Sequence, residues 1–147
     1  MAKISGKDVG LYVNQGTTEA PDWFMFACST SDGFSGSTDT VDLASKCDEG
    51  FIDRLPTNLS WEFSNSSYAV TDDALGVAQV SYDTAFELWS ERTITEFKIA
   101  NVDETYYRAG KGFISSLSDA AGNDEGLTFD LTISGLGIVT NVPPVVV

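Results

Sequence analysis

The sequence predicts a mainly β domain, either a β-sandwich or a small barrel, with one α-helix packed against it. Three observations predict this fold class. Several segments alternate apolar and polar residues, turn residues recur at short intervals, and only one segment has helical apolar spacing. The 147 residues make one ordinary domain, which we expect to span residues 1–147.

The first half of the chain predicts two short strands and a long polar excursion. Residues 8–14 form the first strand, and residues 23–28, apolar without alternation, predict a second strand buried on both faces. Residues 29–50 are rich in Ser, Thr, Asp and Gly, which predicts a projecting loop or an extended hairpin that leaves the body. Order is expected to resume at residues 51–55 and to end at Pro56.

Two later segments show the clearest strand pattern. Residues 58–64 and 127–134 carry an apolar side chain at every second position, which predicts one buried and one polar face. The side chains expected to point inward are Leu59, Trp61, Phe63, Leu127, Phe129, Leu131 and Ile133. Residues 93–102 and 111–117 predict further strands.

A single helix is predicted at residues 81–92. Its apolar residues recur at i, i+3, i+4 and i+7 and therefore form one stripe, which consists of Tyr82, Ala85, Phe86 and Trp89. Ser81 suits the N-cap and Arg92 suits the last turn. We interpret the stripe as a surface that packs on the sheet.

The two chain ends carry no regular pattern. The N-terminal residues lack the apolar segment of a secretory signal, and the longest apolar runs are too short to span a bilayer. We therefore expect synthesis in the cytosol and no membrane insertion. From about residue 139 to 147 the chain is expected to form an exposed arm that includes Pro143-Pro144.

Composition excludes several kinds of chemistry. Histidine is absent, so histidine-based catalytic dyads and triads are excluded, and Cys28 and Cys47 have neither a Cys-x-x-Cys partner nor a histidine with which to bind zinc. We interpret both cysteines as free thiols, although a disulfide between them is conceivable. Paired carboxylates fall in predicted turns, where Asp is common for backbone reasons. We expect no catalytic residue, no metal site and no cofactor.

The chain is strongly acidic. Asp and Glu number 22 against 8 Lys and Arg, which gives a net charge of −14. Such a chain repels nucleic acid phosphates and anionic membranes at long range. This charge fits either simple solubility or a surface that touches DNA without binding it.

Taken in order, these landmarks resemble the major tail tube protein family of long-tailed bacteriophages. The segments that carry the resemblance are Gly6–Val13, Trp23–Ser31, Ala44–Gly50, Leu59–Ser64, Gly112–Ser118 and Leu127–Gly137. They cover most of the chain, and their order is more specific than any one of them. The C-terminal Pro-Pro-Val-Val-Val sequence is not part of the resemblance.

The resemblance implies a tail-tube fold with one flanking helix. It also implies that copies of the chain form hexameric rings, that the inner sheets of a ring join into one barrel, and that stacked rings form a hollow conduit for DNA. Other implied partners are the tape measure, tail tip and tail terminator proteins, with phage DNA passing through transiently. The implied location is the host cytoplasm during assembly and then the virion tail.

The resemblance makes particular residues candidates for the lumen, for the contact between rings and for helix packing. Glu62 and Asp130 are candidates for an acidic lumen, since each lies on the polar face of an alternating strand. The residues expected in an inter-ring loop are Asp32, Phe34, Asp39, Asp42, Lys46, Asp48 and Glu49. Those expected to pack the helix are Tyr82, Phe86 and Trp89.

Three other functions remain open from the sequence. The chain could be the tube subunit of a contractile injection machine, which has a similar fold. It could be a monomeric carbohydrate-binding or phage decoration module, for which the aromatic residues would form a binding platform. An enzyme that uses carboxylates alone is the least favoured, because those carboxylates fall in turns.

Overall fold

A computed structural model describes residues 2–43 and 50–144, and its strands form one continuous eight-stranded sheet. The strands are β1 (Val9–Asn14), β2 (Trp23–Phe26), β3 (Ser29–Leu43), β4 (Asp53–Tyr68), β5 (Gln79–Val80), β6 (Thr95–Asn101), β7 (Tyr107–Ala120) and β8 (Thr128–Thr140). One α-helix lies in the described ranges, α1, which spans Tyr82–Ser90. Their order across the sheet is β3-β4-β8-β7-β6-β1-β2-β5, and every described pairing is antiparallel except β2 with β5.

The sheet curls so that its two halves face each other as a sandwich. Phe26 of β2 and Phe129 of β8 lie four strands apart in the sheet, yet their ring centroids are 6.4 Å apart. The amide of Tyr68 also donates a hydrogen bond to the carbonyl oxygen of Cys28, which joins the end of β4 to the turn after β2. The predicted mainly β fold with one flanking helix is therefore confirmed.

The core lies between the two halves of the sheet. Its fully buried side chains come from β1, β2, β4, β6 and β8, and they are Leu11, Val13, Phe26, Phe63, Phe97, Ile99, Phe129, Leu131 and Ile133. Helix α1 closes one side of the sandwich through Ala85, which is buried. The Ser81 hydroxyl accepts a hydrogen bond from the amide of Val70, so the N-cap residue also ties the helix to the end of β4.

Residues 29–43 form a strand, so the simple-loop interpretation of this segment is wrong. β3 pairs with β4 along its length and makes a long hairpin. β4 also continues through Pro56, which was expected to end it. Proline is tolerated there because β8 pairs only with residues 62–68 of β4, so Pro56 lies on a free edge toward β8, and a register shift against β3 lies at the same place.

Three other expectations fail at strand ends. Leu59 and Leu127 were expected to point inward but are 79% and 42% exposed, because each lies where the opposite layer has ended. The second strand stops at Phe26, and the exposed Cys28 adopts a left-handed turn conformation with φ of 52°. β8 continues to Thr140, so the described part of the C-terminal arm is residues 141–144. Residues 145–147 of the arm lie outside the described part of the chain.

Candidate assembly surfaces

One face of the sheet is covered by hydroxyl groups. Along β4 and β8 the inward positions are buried, so the intervening positions point outward together, and the register pairs Glu62 with Ser134 and Asp130 with Ser66. Glu62 and Asp130 are both exposed on this side. The hydroxyl face comprises these two carboxylates with Ser35, Ser37, Ser60, Ser64, Ser66, Ser116, Ser118, Thr128, Thr132 and Ser134. Phe113 lies opposite Ser134 and Lys111 lies opposite Leu136, so an aromatic ring and a cation lie on the same side at one end of this face.

Two unpaired strand edges bound this face. β3 is the terminal strand of the sheet and pairs only with β4. On the other side, β6 pairs with residues 107–112 of β7, so the rest of β7, from Phe113 to Ala120, has a free edge toward β6. β3 and β7 run in opposite directions in the series of four antiparallel strands. The β7 edge of one copy could therefore continue antiparallel into the β3 edge of another.

A buried polar cluster fixes the start of β3. The Ser29 hydroxyl donates to the Asp32 carboxylate over 2.7 Å, and the amide of Asn65 donates to the other oxygen of the same carboxylate. The carbonyl of Asn65 accepts from Ser67 over 2.7 Å. Burial raises the pKa of Asp32, and the two hydrogen bonds that it accepts oppose that shift. Asp32 was expected in the inter-ring loop, but its side chain is committed to this cluster.

Phe34 also belongs to the body of the domain. Its ring centroid lies 5.8 Å from that of Phe63, and the Arg108 guanidinium lies over the same ring at 5.8 Å. Its assignment to an inter-ring loop is therefore wrong, because the aromatic ring packs on the core.

Beyond Trp61 the hairpin leaves the body, and we call residues 37–43 and 53–60 the overhang. All of its residues are exposed. Asp42 and Arg54 form an ion pair of 3.2 Å on one side. The register pairs Val41 with Leu55 and places Leu43 on that same side, opposite the ion pair. The polar composition of residues 29–50 did not predict this apolar side.

Some of the other inter-ring candidates lie on the overhang, and the rest lie outside the described residues. Asp39 and Asp42 are exposed on the overhang, as expected. Lys46, Asp48 and Glu49 lie outside the described residues. An inter-ring contact was predicted from residues 29–50. The structure describes residues 29–43 and residue 50 of that segment.

Trp61 fastens the overhang to the body. Its indole Nε1 donates to the carbonyl oxygen of Gly137 over 3.0 Å. The ring lies against Gly110 and Gly135, where any Cβ atom would overlap it. β8 bulges here, since Gly110 of β7 stands opposite residues 137–139, and Gly137 has a φ of 73°. The Gly135-Leu136-Gly137 sequence therefore accommodates the Trp61 ring.

The helix presents two of its predicted packing residues to solvent. Tyr82 is partly buried against the core, as expected. Phe86 and Trp89 instead are 54% and 44% exposed, with ring centroids 5.8 Å apart. Ala85 and Leu88 make the core contact because the helix is rotated away from the predicted stripe.

The charged residues nearest to the core serve packing. Lys98 is buried between two rings, with its Nζ 4.6 Å from the Trp23 centroid and 5.1 Å from that of Tyr12, and 3.5 Å from a Glu104 oxygen. Burial, with the charges of Glu104 and Glu96, raises the pKa of the Tyr107 hydroxyl.

Across the described ranges, no three Cys, Asp or Glu side chains come together as metal ligands would. In those same ranges, no helix is long and apolar enough to cross a bilayer.

The architecture is that of a class of β-sandwich subunits found in tubular tails. A chain of the tail of an empty gene transfer agent particle, solved with C6 symmetry, superposes with a TM-score of 0.76 at 17% identity, covering 94% of this chain and 98% of that one. The SPP1 tail tube matches with a TM-score of 0.71 at 15% identity, covering 92% and 77%. The anti-feeding prophage baseplate matches with a TM-score of 0.63 at 10% identity, covering 95% of each chain. These identities establish a shared fold.

The family follows from the sequence itself. The family model described as phage tail tube protein matches residues 3–141, which is nearly the whole chain. The chain therefore belongs to the phage tail tube protein family, and the resemblance stated from the sequence is confirmed. No curated protein sequence matches it.

Proposed function

We propose that six copies of this chain close into a ring and that rings stack into a hollow tail tube that conducts phage DNA. The observation that carries the proposal is the hydroxyl face with a free strand edge on each side. Free edges are normally blocked or paired, and ring closure would pair every β3 edge with a neighbouring β7 edge. The C6 symmetry of the similar gene transfer agent tail supports the number six.

The number of strands in the proposed inner barrel gives a lumen wide enough for duplex DNA. Four strands from each of six copies, spaced by about 4.8 Å, give a circumference of about 115 Å and a diameter of about 37 Å between backbones. With the sandwich core on the outer side of that barrel, the hydroxyl face would line the lumen. A bore of this width, less its side chains, admits duplex DNA.

The chemistry of the hydroxyl face suits passage without capture. Glu62 and Asp130 would give each hexameric ring twelve carboxylates against six Lys111 side chains, so the wall carries a net negative charge and repels phosphates. The remaining side chains of this face are mainly serine and threonine, which are short and well hydrated. DNA would therefore slide along the tube, because the wall consists mainly of short hydroxyl side chains and its net charge is negative.

The proposal extends to partners, location and chemistry. The subunit acts as a structural protein without catalytic activity, assembles in the host cytoplasm and resides in the virion tail. Its partners besides itself are a tape measure protein, a tail tip and a tail terminator. A tube subunit of a contractile injection machine is the second candidate, favoured by the fold shared with the anti-feeding prophage baseplate. Co-sedimentation of a sheath protein with assembled tubes would separate the two.

Electron microscopy of the concentrated protein tests the proposal. Negative-stain images should show hollow tubes or six-fold rings, either spontaneously or after tail-tip components are added. A protein that stays monomeric under both conditions would overturn the tube assignment and favour a monomeric binding module.

A further inference from the structure

We infer that the exposed aromatic side of helix α1 docks, within one ring, into a groove beside the β3 edge of the neighbouring copy. This inference rests on the proposed function, because it adds a second contact next to the strand edges that ring closure would pair. The side chains that dock are Phe86, Trp89 and Ile94, which we call the helix patch. The hollow that receives them lies between the N-terminal residues and the start of β3, and we call it the β3 groove.

The helix patch is an apolar surface without a cover in the single copy. Phe86, Trp89 and Ile94 are 54%, 44% and 61% exposed, and contiguous apolar patches of this kind mark interaction sites in soluble proteins. Trp89 and Ile94 line a hollow together with residues 113–115 of β7, where the free part of the β7 edge begins. The patch therefore borders one of the two edges that ring closure would pair.

The β3 groove is an apolar hollow beside the other free edge. Its volume is about 600 Å³, and residues 29–32 of β3 form one wall. Apolar side chains supply the rest of the lining, and these are Ile4, Val9, Ile99 and Tyr106. Because β3 is the terminal strand of the sheet, no strand of the same copy covers that side of the groove.

Ring closure would bring the helix patch of one copy to the β3 groove of the next. Helix α1 packs on β7 and the groove is built on β3, so β4 and β8 separate the two surfaces within one copy. The register makes residues 29–32 of β3 level with residues 117–119 of β7, which lie in the free part of that edge. Both surfaces lie on the core side of the sheet, since Ala85 of the helix and Ile99 of the groove belong to the same core. Paired edges lie about 4.8 Å apart, so a helix on one edge strand reaches the layer beside the next.

Charge favours the same contact. Asp83 is exposed and lies three residues before Phe86, so the two side chains are neighbours on the helix surface. Lys7 is exposed and lines the β3 groove, and it is one of only 8 basic residues in the chain. Asp32 also lines the groove, but its carboxylate accepts the hydrogen bonds of the buried polar cluster. An ion pair between Asp83 and Lys7 of the neighbouring copy would therefore flank the apolar contact.

Paired cysteines test this contact in a background that carries Cys28→Ser and Cys47→Ser. A chain with Phe86→Cys and Ile4→Cys should form disulfides in assembled tubes, seen without reductant as a ladder that ends at the hexamer because the contact closes within one ring. The matched control joins Ile4→Cys to Glu87→Cys, an exposed position turned by about 100° around the same helix, and it should give no ladder. An equal ladder in the control, a ladder that continues beyond the hexamer, or none from Phe86→Cys in tubes visible by microscopy would overturn the inference.

An exchange of charges covers the case in which the cysteines disturb assembly. Asp83→Lys or Lys7→Asp alone should raise the concentration needed for assembly at least about threefold, because each places like charges across the contact. The double variant restores an opposite pair and should return to within about twofold of the parent, which a merely local effect of either substitution would not do. Additive losses in the double variant would contradict the docking. A parent chain that forms neither rings nor tubes, with or without a tail tip, would overturn the proposed function itself, whereas tubes that show neither the cross-link nor the rescue would overturn the docking alone.

Discussion

The indole of Trp61 hydrogen-bonds to the carbonyl oxygen of Gly137 over 3.0 Å, and this contact joins the base of the overhang to the bulge of β8. The ring fills the space that a side chain at Gly135 would need. Because the neighbouring β4 residues below Trp61 are buried alternately and those beyond it are exposed, this contact marks the boundary between body and projection.

Replacing Gly135 by alanine should destabilise the subunit. The new Cβ would overlap the Trp61 ring, and moving the ring would break its hydrogen bond to Gly137, so we expect a loss of about 2–4 kcal/mol in the free energy of unfolding. Gly122→Ala is the matched control, since a Cβ there meets only the exposed Glu125 side chain at 3.6 Å or more. Denaturant unfolding measures the free energy of unfolding of both variants. Equal values would show that the Trp61 ring does not require a glycine at position 135.

Asp32→Asn should change how stability depends on pH. Burial raises the pKa of Asp32 above 3.8 in the folded state, so the protonated form is favoured by folding. Its contribution is fully present below pH 3.8 and is lost as the pH rises through the folded-state pKa. The variant should therefore gain stability over the wild type as the pH rises through that window.

The same measurement has a matched control. Asp39→Asn removes an equal charge from an exposed position of the same strand, so it measures the effect of losing one negative charge as such. Unfolding free energies at a series of pH values from 3 upwards would serve for both variants. A constant difference between Asp32→Asn and wild type at every pH would show that Asp32 titrates as it does in the unfolded chain.

Reversing the charge of the lumen candidates should slow DNA ejection. Glu62→Lys with Asp130→Lys would give the proposed lumen twelve cations per hexameric ring, which would attract phosphates and release counterions. Glu87→Lys with Glu91→Lys makes the same charge change on the exposed side of the helix. Virions that carry the first pair should eject more slowly than those with the second, and equal ejection kinetics would remove both residues from the lumen.

Salt should promote stacking of the rings. Each copy carries a net charge of −14, so like charges oppose the stacking of one ring on the next. Screening weakens that repulsion at a Debye length of about 8 Å near physiological salt and about 3 Å at 1 M. Light scattering should therefore detect tubes at a lower protein concentration in 0.5 M than in 0.05 M sodium chloride. The opposite trend would indicate that ion pairs drive stacking.

The sequence predicts a strand correctly where the alternation of apolar and polar residues matches the alternation of buried and exposed side chains. The alternation around Phe63 and Ile133 places both strands correctly, because a strand covered on one face requires that period. It fails at Leu59, where the strand continues past the layer that would cover it. Alternation reports a shared side of a strand and gives no information about whether another layer lies above that side.

Prediction of the assembly surfaces was limited for a related reason. Glu62 and Asp130 were assigned to one outward face from periodicity, and register places them on the same side. Asp32 and Phe34 were assigned to a loop because their surroundings are polar, whereas long-range partners at Asn65 and Phe63 hold them in the body. Such partners are about thirty residues away in sequence, where local composition has no bearing on contact.

The most direct test of the account is a cryo-electron microscopy map of assembled tubes at side-chain resolution. The account predicts six copies per ring, the β3 edge of each copy paired with the β7 edge of its neighbour, and Glu62 and Asp130 facing the axis. A six-fold tube with helix α1 facing the axis, or rings in which both strand edges remain unpaired, would contradict it.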